Sequence, residues 1–148
     1  MHIKVENISL ASLELEVHPE HSANLSFNLA ATCQSNFPEP NRLIQVMEFD
    51  LARGVTDPPF TFKFTFVSVF QSEGEGSPTL EEFAKVNAPA YVMPYARELV
   101  ANITSRIGII PPLMLPPINV FQLIEAVVKK DSESIPAEPS SKSCEGKP

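Results

Sequence analysis

Few side chains in this sequence have the types and spacing that chemistry requires. His18 and His21 flank Glu20 in the segment HPEHSA, 18–23. Two imidazoles and a carboxylate so close together resemble part of a metal site, but the surrounding sequence offers no third ligand at fixed geometry. The segment reads as a solvated loop. Cys33 stands in an alternating apolar run with no base beside it, and reads as a small buried hydrophobe rather than a nucleophile. Arg97 and Glu98 are neighbours of the kind that serve as surface charges, or as an arginine holding a loop or chain terminus. The glycines of EGEGS, 73–77, alternate with carboxylates that would repel a phosphate. Glu73, Glu75, Glu81 and Glu82 read as one solvated acidic face. No nucleophile–base pair emerges, so no enzyme, metal or cofactor is expected.

The totals point the same way. A chain of 148 residues suffices for one domain with a moderate core. Its net charge of −7 argues against a nucleic-acid surface, which needs basic residues to neutralise phosphates. The two cysteines, Cys33 and Cys144, have neither metal nor disulfide-framework spacing, and a reducing cytoplasmic setting is the default. MHIKVENISL has no secretory pattern. The greasiest run, Ile107–Ile118, holds four prolines and is too short for a bilayer, so no direct membrane insertion is expected.

The elements that would position a site are legible from periodicity. Ile3–Val17 reads as one strand whose apolar parity switches twice: Ile3 and Val5, then Ile8 and Leu10, then Leu13, Leu15 and Val17. Side chains alternate strictly along a strand, so two switches imply bulges or bends. Leu25, Phe27, Leu29, Ala31 and Cys33 alternate with polar residues as a half-buried strand. SNFPEPN, 35–41, reads as a turn-rich connector. Leu43–Leu51 is apolar on both parities and expects cover on both sides. Phe60, Phe62, Phe64, Phe66 and Phe70 line one face of a further strand, opposite Thr61, Lys63, Thr65 and Gln71. Four such strands with short connectors predict an antiparallel meander.

The period then changes to that of a helix. Thr79 and Glu82 fit a capping box, with Pro89 expected to end a short first helix. A second begins within 89–94, where Pro94 is tolerated in the first turn, and continues through Ala96, Leu99, Ile103 and Ile107 to Gly108. The two Pro-Pro pairs hold 109–117 extended. Asn119 then caps a last helix with Phe121, Ile124, Val127 and Val128 on its apolar stripe. From Asp131 the composition predicts disorder. Apolar surface exceeds what one small sheet and two helices consume, which predicts an oligomer interface or a binding groove.

The set Ala90–Leu115 carries a resemblance. PYARE at 94–98, a helix to Gly108, alternating Pro111, Leu113 and Leu115, and then Pro117-Ile118-Asn119 are similar to the signature of the SecB export chaperones. The strand half matches by pattern only. Val120 stands where that family has its terminal aromatic, with Phe121 beside it. The resemblance implies an α+β fold: a four-stranded antiparallel sheet with two main C-terminal helices, over a domain of 1–130 and a polar tail of 131–148. It implies a bacterial cytoplasmic homotetramer, a dimer of dimers, with Tyr95, Leu99, Asn102, Ile103 and Arg106 at the contact between dimers and first strands paired edge to edge. It implies nucleotide-independent holding of unfolded polypeptide clients, preproteins for export in the usual case. Leu25, Phe27, Phe37, Phe121, Ile124 and Val128 are the expected groove residues. Docking of the motor SecA on an acidic sheet face is implied at Glu16 and Glu14, although one family aspartate falls at Ser12 and a last-strand glutamate falls near Ser68. A chaperone dedicated to one client, such as an antitoxin, or a structural oligomer without client binding, are the alternatives.

Overall fold

The phenylalanine row builds the strand around which everything else is arranged. The computed structural model describes residues 1–18 and 27–115. In chain order these form β1 (His2–Val17), β2 (Ala30–Glu39), β3 (Arg42–Asp50), β4 (Phe60–Glu73) and α1 (Leu80–Arg106). The sheet is antiparallel with the order β1-β4-β3-β2. Only β2, β3 and β4 form a meander; β1 crosses to lie beside β4, which corrects the expectation of a four-strand meander. The physical reason is the distribution of apolar surface. β4 alternates Phe60, Phe62, Phe64, Phe66 and Phe70, all nearly inaccessible, and a strand so apolar on one face gains most from a neighbour on both edges.

Both parity switches in β1 are bulges. The pairing with β4 slips between Val5 and Asn7, and again between Leu10 and Ser12. The consequence is that every large apolar residue of β1 stays on one face. Val5 lies opposite Phe70, Leu10 opposite Phe66, Leu13 opposite Phe64, and Leu15 opposite Phe62. Directly opposed residues share a face of the sheet. An unbulged strand would have turned Ile8 and Leu10 to the other side.

The connector expected at 35–41 is strand for most of its length. β2 runs to Glu39, and only Pro40 and Asn41 make the turn. The register shifts between Asn36 and Glu39, placing Phe37 and Pro38 in an irregularity. Pro38 is tolerated because β2 is an edge strand, where a missing N–H leaves no ladder partner unpaired. The expected strand start at Leu25 lies outside the described residues.

The single described helix also differs from expectation. Its capping box is present: the Thr79 hydroxyl accepts from the Glu82 N–H at 3.2 Å, and the Glu82 carboxylate accepts from the Thr79 N–H at 2.9 Å. Pro89 does not end it. Pro89 and Pro94 both lie inside α1, removing the donors that the carbonyls of Lys85 and Ala90 would have used. Burial offsets that loss, because Ala88, Val92, Ala96 and Val100 continue one fully buried face straight past both prolines. Gly108 does stop the helix. At φ 88° it takes the left-handed conformation, the Gly108 N–H donates to the Ser105 carbonyl, and the Ile109 N–H donates to that of Thr104. This is a Schellman ending. The predicted last helix and the tail from Asp131 lie outside the described residues.

The buried side chains fall into two clusters. The larger holds Met47, Phe49, Phe62, Phe64, Val92, Ala96 and Val100. The smaller holds Leu43, Phe70, Leu80, Phe83 and Ala88. Between them a polar row crosses the sheet from Ser35 through Gln45 to Ser68. The Gln45 amide is wholly buried and donates to the Ala84 carbonyl at 2.8 Å and to the Ser35 hydroxyl at 3.2 Å. It pins the first half of α1 to β3.

Candidate interaction surfaces

Beyond Gly108 the chain folds back along α1 as a strap, residues 109–115. Two side chains of α1 hold it. The Thr104 hydroxyl accepts from the Leu113 N–H at 2.9 Å while donating to the Val100 carbonyl at 2.7 Å. The Arg97 Nε donates to the Leu115 carbonyl at 3.1 Å. Arg97 is therefore an arginine that holds a loop, one of the two roles its position allowed. Ile109 and Leu113 pack against the larger core and Leu115 is buried within it. Ile110 and Met114 point the other way, 89% and 62% exposed.

The large apolar side chains left open lie on α1, on the two edge strands and on the strap. On one side of α1, Tyr91 contacts the Phe70 ring at 5.9 Å and Tyr95 the Phe66 ring at 6.4 Å. Phe70 and Phe66 face Val5 and Leu10 of β1. Tyr91, Tyr95, Leu10, Leu13 and Val17 are each roughly half exposed, the tyrosines on α1 and the other three on the edge strand β1. Also exposed are Phe27 and Phe37, at opposite ends of β2, and the strap residues Ile110 and Met114. Isolated exposed apolar residues need no explanation, but a set of them along an edge strand and the neighbouring helix face does.

Among the residues expected at the subunit contact, Tyr95, Asn102 and Arg106 are exposed on α1, whereas Leu99 and Ile103 are half buried against the larger core. Of the expected groove residues, Phe27 and Phe37 are exposed; Leu25, Phe121, Ile124 and Val128 lie outside the described residues. Phe37 sits at the irregular end of a strand rather than in a loop. Sequence reasoning missed Gln45 and Thr104, since a polar residue at a strand or helix position carries no mark of the bond it will make.

Glu14 and Glu16 lie on the sheet face turned away from α1, opposite Lys63 and Thr61 respectively. A shallow recess of about 370 Å³ there is lined by Glu14, Glu48, Asp50, Arg53 and Lys63 among others. The face is thus mixed in charge, with a lysine between two carboxylate strands. Ser68 points the other way and is fully buried, so its position contributes nothing to this face. Half-buried Ile44, Val46, Val67 and Val69 occupy the middle of it, so Leu43–Leu51 is partly covered on its second side.

Among the described residues no group of three His, Cys, Asp or Glu is placed to hold a metal; Glu20 and His21 lie outside them. Cys33 is half buried against the larger core. Burial pushes its thiol up to about 11, against a smaller downward pull from a hydrogen bond with Ser35. The thiolate is the reactive form. In a Cys144→Ser background, alkylation of Cys33 at pH 8 is expected to run about a hundredfold slower than that of an unperturbed cysteine. A rate near that of free cysteine would mean that the thiol is not desolvated.

The described residues thus form an open four-stranded sheet beside one long helix, with large apolar side chains left exposed along both. Comparison with known proteins gives the family. The profile described as preprotein translocase subunit SecB matches residues 4–131. The chain belongs to the SecB family. A protein-export protein SecB of Ruegeria pomeroyi is 28% identical over 123 residues, covering 83% of this chain and 73% of that protein. An uncharacterized protein of Methanocaldococcus jannaschii is 28% identical over 119 residues, covering 77% of this chain and 76% of its own. The SecB-like chaperone of Mycobacterium tuberculosis, solved in complex with a ChAD peptide from an antitoxin, shares the fold. It aligns with a TM-score of 0.62 at 24% identity, covering 78% of this chain and 89% of that one.

Proposed function

We propose that this protein is a chaperone that holds unfolded polypeptides without nucleotide, working as a homotetramer in the bacterial cytoplasm. The observation that carries the reading is the strap. Three hydrogen bonds from α1 fix a non-helical segment that still presents Ile110 and Met114 to solvent. Holding apolar side chains outward costs free energy in water, and a partner that covers them recovers it. A surface meant for many sequences needs broad apolar area and few specific polar demands. Phe27 and Phe37, at opposite ends of the edge strand β2, are proposed as further client contacts, with Leu25, Phe121, Ile124 and Val128. The exposed set of Leu10, Leu13, Val17, Tyr91 and Tyr95 is assigned to contacts between subunits, with Asn102 and Arg106.

A named SecB relative supports preproteins for export as the clients. The mixed outer face favours a second reading, a chaperone dedicated to one client such as an antitoxin. Lys63 between Glu14 and Asp50, and the inward Ser68, leave a weaker acidic platform for SecA than the export reading wants. Among the described residues no helix is long and apolar enough to cross a membrane, and any membrane step would proceed through a partner.

Charging the proposed groove tests it. Phe37→Asp and Met114→Asp should each weaken capture of an unfolded chain by about tenfold, the effect of losing a well-buried apolar contact. Both residues are exposed in the free subunit, so the melting temperature should hold. Unchanged affinity in both variants would remove this surface from the reading.

A further inference from the structure

A backbone that recruits a partner strand must offer hydrogen-bonding groups at every second residue. The strap cannot do so. Pro111 and Pro112 have no N–H, and because they are adjacent they break both alternating sets of donors. The Ile109 N–H donates to the Thr104 carbonyl and the Leu113 N–H to the Thr104 hydroxyl. The Leu115 carbonyl accepts from Arg97, and Leu115 itself is buried. Of the exposed residues 110, 111, 112 and 114, only Ile110 and Met114 have an N–H at all.

The side chains are the opposite case. Ile110, Pro111, Pro112 and Met114 are all exposed and all apolar, and no charged residue lies anywhere in 107–115. Ile109, Leu113 and Leu115 are taken up by the larger core. The strap is therefore apolar in its side chains and nearly silent in its backbone. Edge strand β2 offers the reverse. Among the described residues one of its edges carries no partner strand, while Thr32, Gln34, Ser35 and Asn36 give it polar side chains.

We propose that the strap takes clients by their apolar side chains alone, without strand addition, and so accepts segments whose backbone cannot pair, proline-containing ones included. This rests on the client-binding reading above and names the class of segment the strap receives. A side-chain contact does not depend on client N–H groups, whereas an added strand loses a hydrogen bond for each facing donor removed. Proline, which paired strands exclude from their interior, is no obstacle here.

The test measures binding of the full chain to a labelled peptide in which leucine alternates with serine, by fluorescence anisotropy. One twin has esters in place of its central amides, which removes the donors and keeps the shape. A second has proline in place of the serines. Both should bind within about threefold of the parent. A third twin, with serine in place of the leucines, should lose about tenfold or more. Ile110→Ser with Met114→Ser should weaken the parent and the ester twin alike, by about tenfold. Both positions are exposed, and the melting temperature checks that the double variant is folded. A loss beyond about threefold for the ester twin is the mark of strand addition and would overturn the proposal. So would a double variant that binds the parent as well as the wild type does. Capture of reduced, carboxymethylated lactalbumin without binding of the leucine peptide overturns this inference and leaves the client-binding reading standing. Failure to capture lactalbumin removes that reading, and this inference with it.

Discussion

Replacing Phe64 by alanine is expected to destabilise the fold by roughly 3–5 kcal/mol, the usual loss for a large aromatic in a packed core. Phe64 is 1% exposed and stands at the centre of the ladder. Its ring stacks on Phe49 at 4.8 Å, lies 4.9 Å from Phe62 and meets the edge of Phe66 at 5.9 Å. It is paired on both sides, with Leu13 and with Phe49, so no neighbour can collapse into the space without dragging a strand along. A loss of that size is a large share of a typical domain's 5–15 kcal/mol or so. Chemical denaturation should show a lowered midpoint at unchanged slope. A change below about 1 kcal/mol would mean that the ladder is not the core.

The second large effect concerns assembly. On the proposed dimer-of-dimers assembly, Tyr95→Asp should split tetramers into dimers while leaving each subunit folded. Tyr95 is 47% exposed in the subunit and reaches Phe66 only with its ring, so a carboxylate there stays hydrated in the free chain. In the proposed contact between dimers the same carboxylate would lose its water, at about 3 kcal/mol or more, which is a hundredfold or so in dissociation constant. Leu99 is the less discriminating target, since it packs against the larger core and a charge there would damage fold and contact together. Sedimentation mass should fall by half for Tyr95→Asp. An unchanged mass would move the contact off this face of α1.

What the sequence disclosed follows from what local patterns can encode. Side-chain alternation is strict, so the two parity switches in β1 declared its two bulges, and the phenylalanine row declared β4. The capping box and Gly108 are local chemistry and were equally readable. Strand order was not, because the alternation in β1 is satisfied by any neighbour with an apolar face, and the choice of β4 over β2 is made by long-range packing. Prolines misled for a related reason. Their cost is local, while the burial that offsets it at Pro89 and the edge position that removes it at Pro38 are tertiary. In the candidate site, PYARE and the proline frame pointed to the family. Leu10, Leu13 and Val17 lie on the same sheet face as the buried Phe66, Phe64 and Phe60 opposite them, so nothing local marks them as open. The holding bonds of Thr104 and Gln45 depend on which backbone passes by.

The most direct measurement is a titration of the purified protein with one slow-folding polypeptide, presented first unfolded and then native, without nucleotide. The account predicts binding of the unfolded form with a dissociation constant of about 1 μM or tighter, and none of the native form. Failure to bind several unrelated unfolded chains, or equal binding of both forms, would contradict it.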